Sequence, residues 1–256
     1  MQPTYLPWSG YFNLIQSVDK FVFLDDVQFE KQSWQSRNRL LQNGRELLLS
    51  IPIKKHALSS SIHQIDVNNL ENWQQKQLTS LKQSYAKSPY LDEVLSVLEP
   101  NFLESKKTLI EYTIPIIKAF SLRLGLEVEW YRSSEITAQG NRSEKLVEIC
   151  EFLNCNQYVS PVGSKFYLEA DGVFAKSNVE LVYQCFQPKP YTQIKTVDFV
   201  SHLSIVDVVA NIGFDQTRRY IQNVQKIADK ERGGGGKGLL LNYQEIIMGT
   251  FNAPKR

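Results

Sequence analysis

Cysteine and histidine are scarce in this chain of 256 residues, which has three of each. The cysteines are Cys150, Cys155 and Cys185; the histidines are His56, His63 and His202. An odd number of cysteines without a paired motif argues against a disulfide framework, so we expect a reducing, cytoplasmic setting. The histidines stand in no recognised ligand spacing, so we expect no metal site built from them.

Long apolar runs and a strong charge of one sign are also missing. No run reaches the length that spans a bilayer, so we expect no membrane span. Lysine and arginine number 29 against 27 acidic residues, which leaves a net charge of +2. That balance argues against a general nucleic-acid binder. The hydrophobic share of 42% suits a globular protein with a substantial core.

Short β-rich runs alternate with helical patterns along the chain. The predicted strands cover residues 21–26, 46–53, 128–131, 157–160 and 179–186. The predicted helices cover about residues 71–87, 90–98, 105–124, 142–153, 164–169, 204–212 and 215–229. This alternation predicts an α/β fold with a mostly parallel twisted sheet flanked by helices, in the manner of a Rossmann-like domain. The helix-rich stretch at about 71–124 interrupts the alternation and predicts an insertion or lobe.

The stretch QPTYLPWSGYF opens the chain. Pro3 and Pro7 fix their own φ and push the preceding residues toward extended geometry, which makes the segment stiff. Ser9 is the predicted N-cap of a first helix. The amide groups at such a helix start point outward and suit an anion. The candidate binding residues here are Trp8, Ser9, Gly10 and Tyr11.

The segment LDDVQFEKQSWQSRNR places polar groups after a predicted strand. Asp25 and Asp26 end that strand, and either carboxylate could act as a general base or hold a divalent metal with phosphates. Arginines can clamp a phosphate or carboxylate, and tryptophan can stack on a ring. The candidate binding residues are Trp34, Arg37, Asn38 and Arg39. The alternative is a solvated hairpin whose charges pair with each other.

Two later segments repeat the pattern of strand, loop and helix start. In SSEITAQGNRSEKL, Arg142 and the adjacent amides could bind a phosphate, although helix capping alone also explains this sequence. In YVSPVGSKFYLE, the residues that could surround an anion include Ser160, Gly163 and Lys165. His56 follows another predicted strand and could serve as a general base, with an ordinary surface histidine as the alternative.

The predicted domain division separates residues 1–216, an α/β domain that includes the helix-rich stretch, from residues 217–256. The second part is predicted as a helix followed by a flexible glycine-rich tail. Its ERGGGGKG does not match a phosphate-binding P-loop, because Glu231 stands where the first glycine is required and Gly238 follows Lys237.

The opening MQPTYLPWSGYFNLIQSVDKFVFLDDVQFEKQSWQSRNRL resembles the opening of the WbqC-like proteins. SPVGSKFYL, QPKPYTQ and LSIVDVVANIG resemble later segments of that family in the same order, so the resemblance covers about residues 1–216. It implies a bacterial protein of surface-polysaccharide or O-antigen (lipopolysaccharide) synthesis, with transfer of glycine or another acyl group to an amino sugar. The layout of the opening is also similar to the HIGH-motif nucleotidyltransferases. Trp8, Gly10 and Tyr11 stand in place of their histidines, which argues against the HIGH chemistry itself.

Two functional hypotheses remain open at this stage. The first is a transferase that binds a nucleotide-linked or acyl donor and an amino-sugar or nucleotide-sugar acceptor. The second is a non-catalytic module that binds a carbohydrate or a partner protein, with Tyr5, Trp8, Tyr11 and Trp34 as stacking platforms for sugar rings. A non-functional alternative is that these aromatic side chains belong to the core and the polar segments are ordinary loops. The oligomeric state is not indicated by the sequence.

Two spatial expectations follow. We expect Ser9, Asp25, Arg39, Arg142 and Lys165 to line one cleft at the carboxyl ends of the strands. The loop QPTYLPW should follow a strand, yet only Met1 precedes it. We therefore expect either a stunted first strand or a native start a few residues upstream.

Overall fold

The computed structural model describes residues 1–222 as an α/β fold with two parallel strand pairs, as the sequence predicts. The strands are β1 (Lys20–Phe23), β2 (Arg37–Gln42), β3 (Arg45–Ser50), β4 (Glu129–Arg132), β5 (Gln157–Pro161) and β6 (Glu180–Gln184). The helices are α1 (Ser9–Gln16), α2 (Trp73–Ser84), α3 (Leu91–Phe102), α4 (Leu109–Arg123), α5 (Ser143–Phe152), α6 (Lys165–Ala170) and α7 (Ile205–Ile221).

The strands pair two by two, in three small sheets. β1 lies parallel to β4 and β5 lies parallel to β6, whereas β2 and β3 form an antiparallel hairpin. Phe23 stands opposite Arg132, and Pro161 stands opposite Gln184, so each parallel pair ends in register. The polar residues that follow β1 and β4 are therefore brought to the same edge.

Met1 lies beside β1 on a parallel ladder. Its amino group donates to the Val22 carbonyl, and the Leu24 amide donates to the Met1 carbonyl, both at 2.8 Å. These are the bonds that a parallel neighbour makes. Residues 2–8 then lead from this ladder to the start of α1.

The predicted helices form at the expected places, with shifted ends. The fourth helix begins at Leu109 because Thr108 and Glu111 form a capping box there, after residues predicted as helix from 105. α7 breaks at Gly213, whose φ of 74° is the left-handed conformation that glycine tolerates. Gly213 thus separates the predicted helix at 204–212 from the one predicted at 215–229. Residues 223–229 of that second helix, and the whole glycine run, lie outside the described residues.

The helix-rich stretch shares one core with the rest of the fold. Phe12 of α1 and Phe120 of α4 are fully buried, and their ring centroids are 6.2 Å apart. Tyr85 at the end of α2 hydrogen-bonds Asp207 of α7 at 2.7 Å. The helices between β3 and β4 therefore pack against α1 and α7 and support the elements that carry the site. Within residues 1–222, none of the helices could cross a bilayer, since each is too short or too polar.

Candidate functional site

Asp25 follows β1 and is fully buried. Its carboxylate accepts a hydrogen bond from Arg132 Nε at 2.7 Å, and it also accepts one from the Ser134 amide at 2.9 Å. The Ser134 hydroxyl donates to it at 2.8 Å. Burial acts to raise the pKa of Asp25, but these hydrogen bonds and the charge of Arg132 outweigh burial, and the pKa lies below its ordinary value. Asp25 is thus a buried anion whose oxygens are already occupied.

Asp26 is the more accessible of the two carboxylates, with 21% of its side chain exposed. It accepts a hydrogen bond from Lys145 Nζ at 2.5 Å, and the Ser133 hydroxyl donates to it, also at 2.5 Å. Ser133 is fully buried, and the Lys145 side chain is 19% exposed. A cation and a hydroxyl from two other elements therefore hold a carboxylate that still reaches solvent. We call Asp25, Asp26, Arg132, Ser133 and Lys145 the carboxylate cluster.

The side chains of the carboxylate cluster are poorly suited to bind a metal ion. In the part of the chain that the structure describes, no three acidic, cysteine or histidine side chains come together in a way that could hold a metal ion. The oxygens of Asp25 and Asp26 face a guanidinium and an ammonium group, whose positive charges compete with a cation. The cluster is thus a pair of carboxylates held by hydrogen bonds and by two cations.

A second polar region runs from the β2–β3 hairpin to the start of α1. The guanidinium of Arg39 lies 5.4 Å from the Trp34 ring centre, and its Nη2 donates to the His202 carbonyl at 3.4 Å. The His202 ring packs against Trp8 at an interplanar angle of 31°, with centroids 4.7 Å apart. Trp8, Trp34, Arg37, Arg39 and His202 therefore form a strip of rings and guanidinium groups, which we call the Trp–Arg strip.

Arg37 lies on the same side of β2 as Arg39, because alternate residues of a strand share a face. Arg39 forms a salt bridge with Glu46 at 2.8 Å, as the hairpin alternative expects. The Arg37 side chain makes no hydrogen bond or salt bridge with any residue that the structure describes, and its Nε is buried. A half-buried, unpaired guanidinium is expensive to hold without an anion. Within residues 1–222, Arg37 is thus a cation of the strip without a salt-bridge partner.

Strained backbone and unsatisfied polar atoms concentrate around this strip. Leu6 and His202 are bulky residues with φ of 45° and 58°, a conformation that costs free energy. The Thr4 hydroxyl and the Nε of Arg39 are also buried without a partner. Strain and unpaired polar groups in one place are typical of a functional site.

The start of α1 differs from the sequence prediction. The N-cap is Trp8 rather than Ser9, and no side chain caps the helix. Ser9 is the first helical residue and is buried, as is Tyr11. The Trp8 ring covers Gly10 so closely that a Cβ on Gly10 would lie 2.2 Å from it. The predicted helix start therefore exists, but the Trp8 ring covers it.

Asn38 has a structural role. Its side-chain amide donates to the carbonyls of Tyr5 and Leu6 at 2.9 and 2.8 Å. These bonds satisfy two carbonyls of the strained loop and attach it to β2. Asn38 thus positions the loop that leads to Trp8.

The third predicted segment lies at the ends of β5 and β6. Lys165 Nζ stands 5.5 Å from the Tyr183 ring centre and 3.8 Å from Glu169, and the Tyr183 hydroxyl is buried without a partner. Ser160 is buried at the end of β5, and Gly163 lies in the short turn before α6. On the other side of β6, Gln184 donates to the Gly10 carbonyl at 2.7 Å.

Arg142 occupies the N-cap position of α5 with a positive φ of 50°. Directly after it, the Ser143 hydroxyl hydrogen-bonds the Asp171 carboxylate at the end of α6. The second predicted segment thus contacts a residue two positions beyond the end of the third. The binding of a phosphate by Arg142 stays a prediction.

The two histidines of the middle region have different surroundings. His56 packs its ring edge-on against Phe29 at 5.1 Å and hydrogen-bonds the Ala57 carbonyl through Nδ1. His63 instead bonds the Asp25 carbonyl at 3.0 Å. His63, rather than His56, borders the carboxylate cluster in the contacts that the structure shows.

The structure joins the first and second predicted segments directly, through Asp25 and Asp26. Arg39 belongs to the Trp–Arg strip, and Lys165 to the ends of β5 and β6. A single cleft for all five predicted residues stays a prediction. Sequence reasoning missed Arg132, Lys145 and His202 as site residues. Arg132 could have been found, since it directly follows the strand predicted at 128–131, whereas Lys145 and His202 had no signal of their own.

Comparison with known proteins places the whole described fold in one family. The model of the WbqC-like protein family matches residues 2–219. The uncharacterized protein Rv1507c of Mycobacterium tuberculosis (strain ATCC 25618 / H37Rv) is 25% identical over 217 residues, which cover 83% of this chain and 92% of that protein. No solved structure matches the chain.

Proposed function

The chain belongs to the WbqC-like protein family, and we propose that it is a transferase that passes an acyl or aminoacyl group, such as glycyl, from an anionic donor to an amino sugar. The setting would be bacterial surface-polysaccharide synthesis, which the family resemblance implies. The three cysteines are unpaired thiols, which supports a cytoplasmic location.

The position of Asp26 is the observation that carries this proposal. Acyl transfer to an amine needs a base that removes a proton while the new C–N bond forms. Asp26 lies where two parallel strands end, the place where open α/β folds bind their ligands. Lys145 and Ser133 fix its carboxylate, yet part of it reaches solvent. A fixed and accessible carboxylate suits a base, whereas the buried Asp25 suits a supporting role.

The transfer step can be written with these groups. The amine nitrogen attacks the acyl carbonyl carbon of the donor, and Asp26 accepts the proton that the nitrogen gives up. The bond between the carbonyl carbon and the anionic leaving group breaks, and the leaving group takes the electron pair. Proton transfer of this kind contributes a factor of about a hundred to ten thousand in rate.

The Trp–Arg strip would hold the anionic part of the donor. Arg37 has no partner among the described residues, so a phosphate or carboxylate would supply the missing charge. Arg39 is already paired with Glu46 and would contribute less. Trp8 and Trp34 are half-buried, so each could stack on a ring of the donor. Lys165 would then border the donor from α6, whereas Ser9 and Gly10 of α1 are buried and the Trp8 ring covers Gly10.

The alternative function is a carbohydrate- or partner-binding module. Tyr5 and Tyr11 cannot act as stacking platforms, because their side chains are 0% and 2% exposed. The tilted ring pair of Trp8 and His202 favours this alternative, since a sugar ring could lie against it. A module of this kind would bind its ligand equally well without Asp26.

A thermal-shift screen of nucleotides, nucleotide sugars and acyl donors tests the proposal. We expect at least one anionic donor to raise the melting temperature of the wild type and of Asp26→Asn, but not of Arg37→Ala. If only neutral sugars shift the melting temperature, with Arg37→Ala behaving as the wild type, the binding module replaces the transferase.

A further inference from the structure

A group of lysines shares one open groove that the proposed transfer does not use. The groove is lined by Lys54, Lys55, Lys106 and Lys107. It forms because three segments run side by side: the Lys54 amide donates to the Asp66 carbonyl at 2.9 Å, and the Val67 amide donates to the Lys107 carbonyl at 2.8 Å. Lysines from two distant parts of the sequence therefore reach the same surface.

Two strongly exposed leucines border these lysines. Leu70 lines the groove and is 94% exposed. Leu103 is 81% exposed and stands two residues before Ser105, which also lines the groove. Nearby, the rings of Trp73 and Phe102 are buried with centroids 5.4 Å apart, and this contact fixes the segments that carry both leucines. The two leucines thus belong to well-packed segments, and their exposed side chains indicate a partner that buries them.

The lysine charges are only partly neutralised. Lys54 forms a salt bridge with Asp66 at 3.5 Å. Lys55, Lys106 and Lys107 form no salt bridge with any residue in the described part of the chain. The acidic neighbours are Glu71, which pairs with Lys76 at 2.6 Å, the exposed Glu104, and Glu111, which caps α4. Three ammonium groups are therefore available to an anionic surface.

We propose that these residues dock the protein onto the anionic face of a lipid bilayer. Lys55, Lys106 and Lys107 contact the phosphate headgroups, and Leu70 and Leu103 enter the boundary between headgroups and acyl chains. A free phosphate would satisfy the lysines equally well. It would leave both leucines in water, so the leucines favour a bilayer.

Vesicle sedimentation of the full chain tests this docking surface. The probes are vesicles of phosphatidylcholine with and without phosphatidylglycerol. We expect the wild type to sediment only with the anionic vesicles and to be released by high salt. The triple variant Lys55→Glu, Lys106→Glu, Lys107→Glu should bind at least about a hundredfold more weakly, at about fivefold per lysine lost. The double variant Leu70→Ser, Leu103→Ser should also bind several-fold more weakly.

The matched control reverses three exposed lysines elsewhere, Lys87, Lys176 and Lys189, and so changes the net charge by the same amount. It should keep the wild-type binding, and melting curves of all variants show whether each is folded. The proposal is overturned if the wild type ignores anionic vesicles, or if both triple variants lose binding equally. Full binding by the leucine variant would also overturn it, because the surface would then be an anion site rather than a bilayer contact.

Discussion

Lys145 of α5 donates a hydrogen bond of 2.5 Å to the carboxylate of Asp26, which lies 119 positions earlier in the chain. This contact joins the end of β1 to the first turn of α5. It also distinguishes two adjacent aspartates: Asp26 pairs with Lys145, whereas the buried Asp25 pairs with Arg132.

Replacing Asp25 should cost stability. Asp25→Asn keeps the shape but leaves Arg132 without its counter-ion. We expect a loss of about 1–3 kcal/mol of unfolding free energy, less than for a fully buried pair, because Arg132 is 34% exposed and partly screened by solvent. Chemical denaturation at neutral pH measures this loss. Asp26→Asn is the matched control and should lose less, because Asp26 is partly exposed.

The same substitution should alter acid unfolding. The pKa of Asp25 is lowered in the folded state, so its contribution is complete above the unfolded pKa of about 3.9 and is lost as the pH falls through the folded pKa. The wild type should therefore lose stability below about pH 4, and Asp25→Asn should lose less over that range. Parallel acid titrations of the two proteins would contradict this assignment.

The titration of Asp207 should change stability with pH in the opposite direction to that of Asp25. It is fully buried, and its carboxylate accepts hydrogen bonds from Tyr85, Tyr191 and Gln193 at 2.7, 2.6 and 2.9 Å. Burial raises its pKa more than these bonds lower it. The folded state then holds the proton more tightly than the unfolded state. Rising pH should therefore reduce stability from about pH 4 up to the raised pKa.

Asp207→Asn tests this by removing the titrating group. Its unfolding free energy should depend less on pH across that window than the wild-type value, as measured by urea denaturation at several pH values. An unchanged dependence would show that Asp207 is not the source.

Gly10 and Trp8 should be energetically coupled. Gly10→Ala places a Cβ where the Trp8 ring lies, at 2.2 Å, so the ring must move. We expect a cost of about 1–3 kcal/mol, typical of overpacking, together with a change in tryptophan fluorescence. In a Trp8→Ala background the added methyl group has room, so the double variant should cost less than the sum of the two single variants. Strict additivity would argue against this packing.

Arg37 should matter for ligand binding rather than for folding. Arg37→Ala removes a guanidinium that has no partner among the described residues, so the melting temperature should stay the same or rise. It should weaken binding of an anionic donor by about 1.5–3 kcal/mol, the value of a charge-assisted hydrogen bond. Calorimetric titration with the best donor of the screen gives this number. The control is Arg45→Ala on the neighbouring strand, an exposed arginine that should leave donor affinity unchanged.

Much of the fold was predictable because hydrophobic periodicity and capping act locally. The β1 strand and the break at Gly213 between two predicted helices depend on residues close in sequence. β2 was missed as a strand, since Arg37, Asn38 and Arg39 are polar. It forms because Asn38 and Leu40 turn inward, onto the loop and the core, while the arginines face outward. The hairpin alternative had allowed for this outcome.

The site was predictable only in part, for a related reason. Asp25 and Asp26 were found because they follow an apolar strand. Their partners Arg132 and Lys145 come from residues more than 100 positions away, and no local pattern encodes such pairing. The cover that Trp8 forms over Gly10 also depends on tertiary packing, so Ser9 was wrongly given the cap.

The most direct measurement is product formation by the wild type and Asp26→Asn, with the donor found in the screen and an amino-sugar acceptor, followed by mass spectrometry. The account predicts an acylated or aminoacylated sugar from the wild type. It predicts a rate lower by a factor of about a hundred or more in Asp26→Asn, with donor affinity retained. Equal rates for the two proteins, or no transfer from any donor that binds, would contradict it.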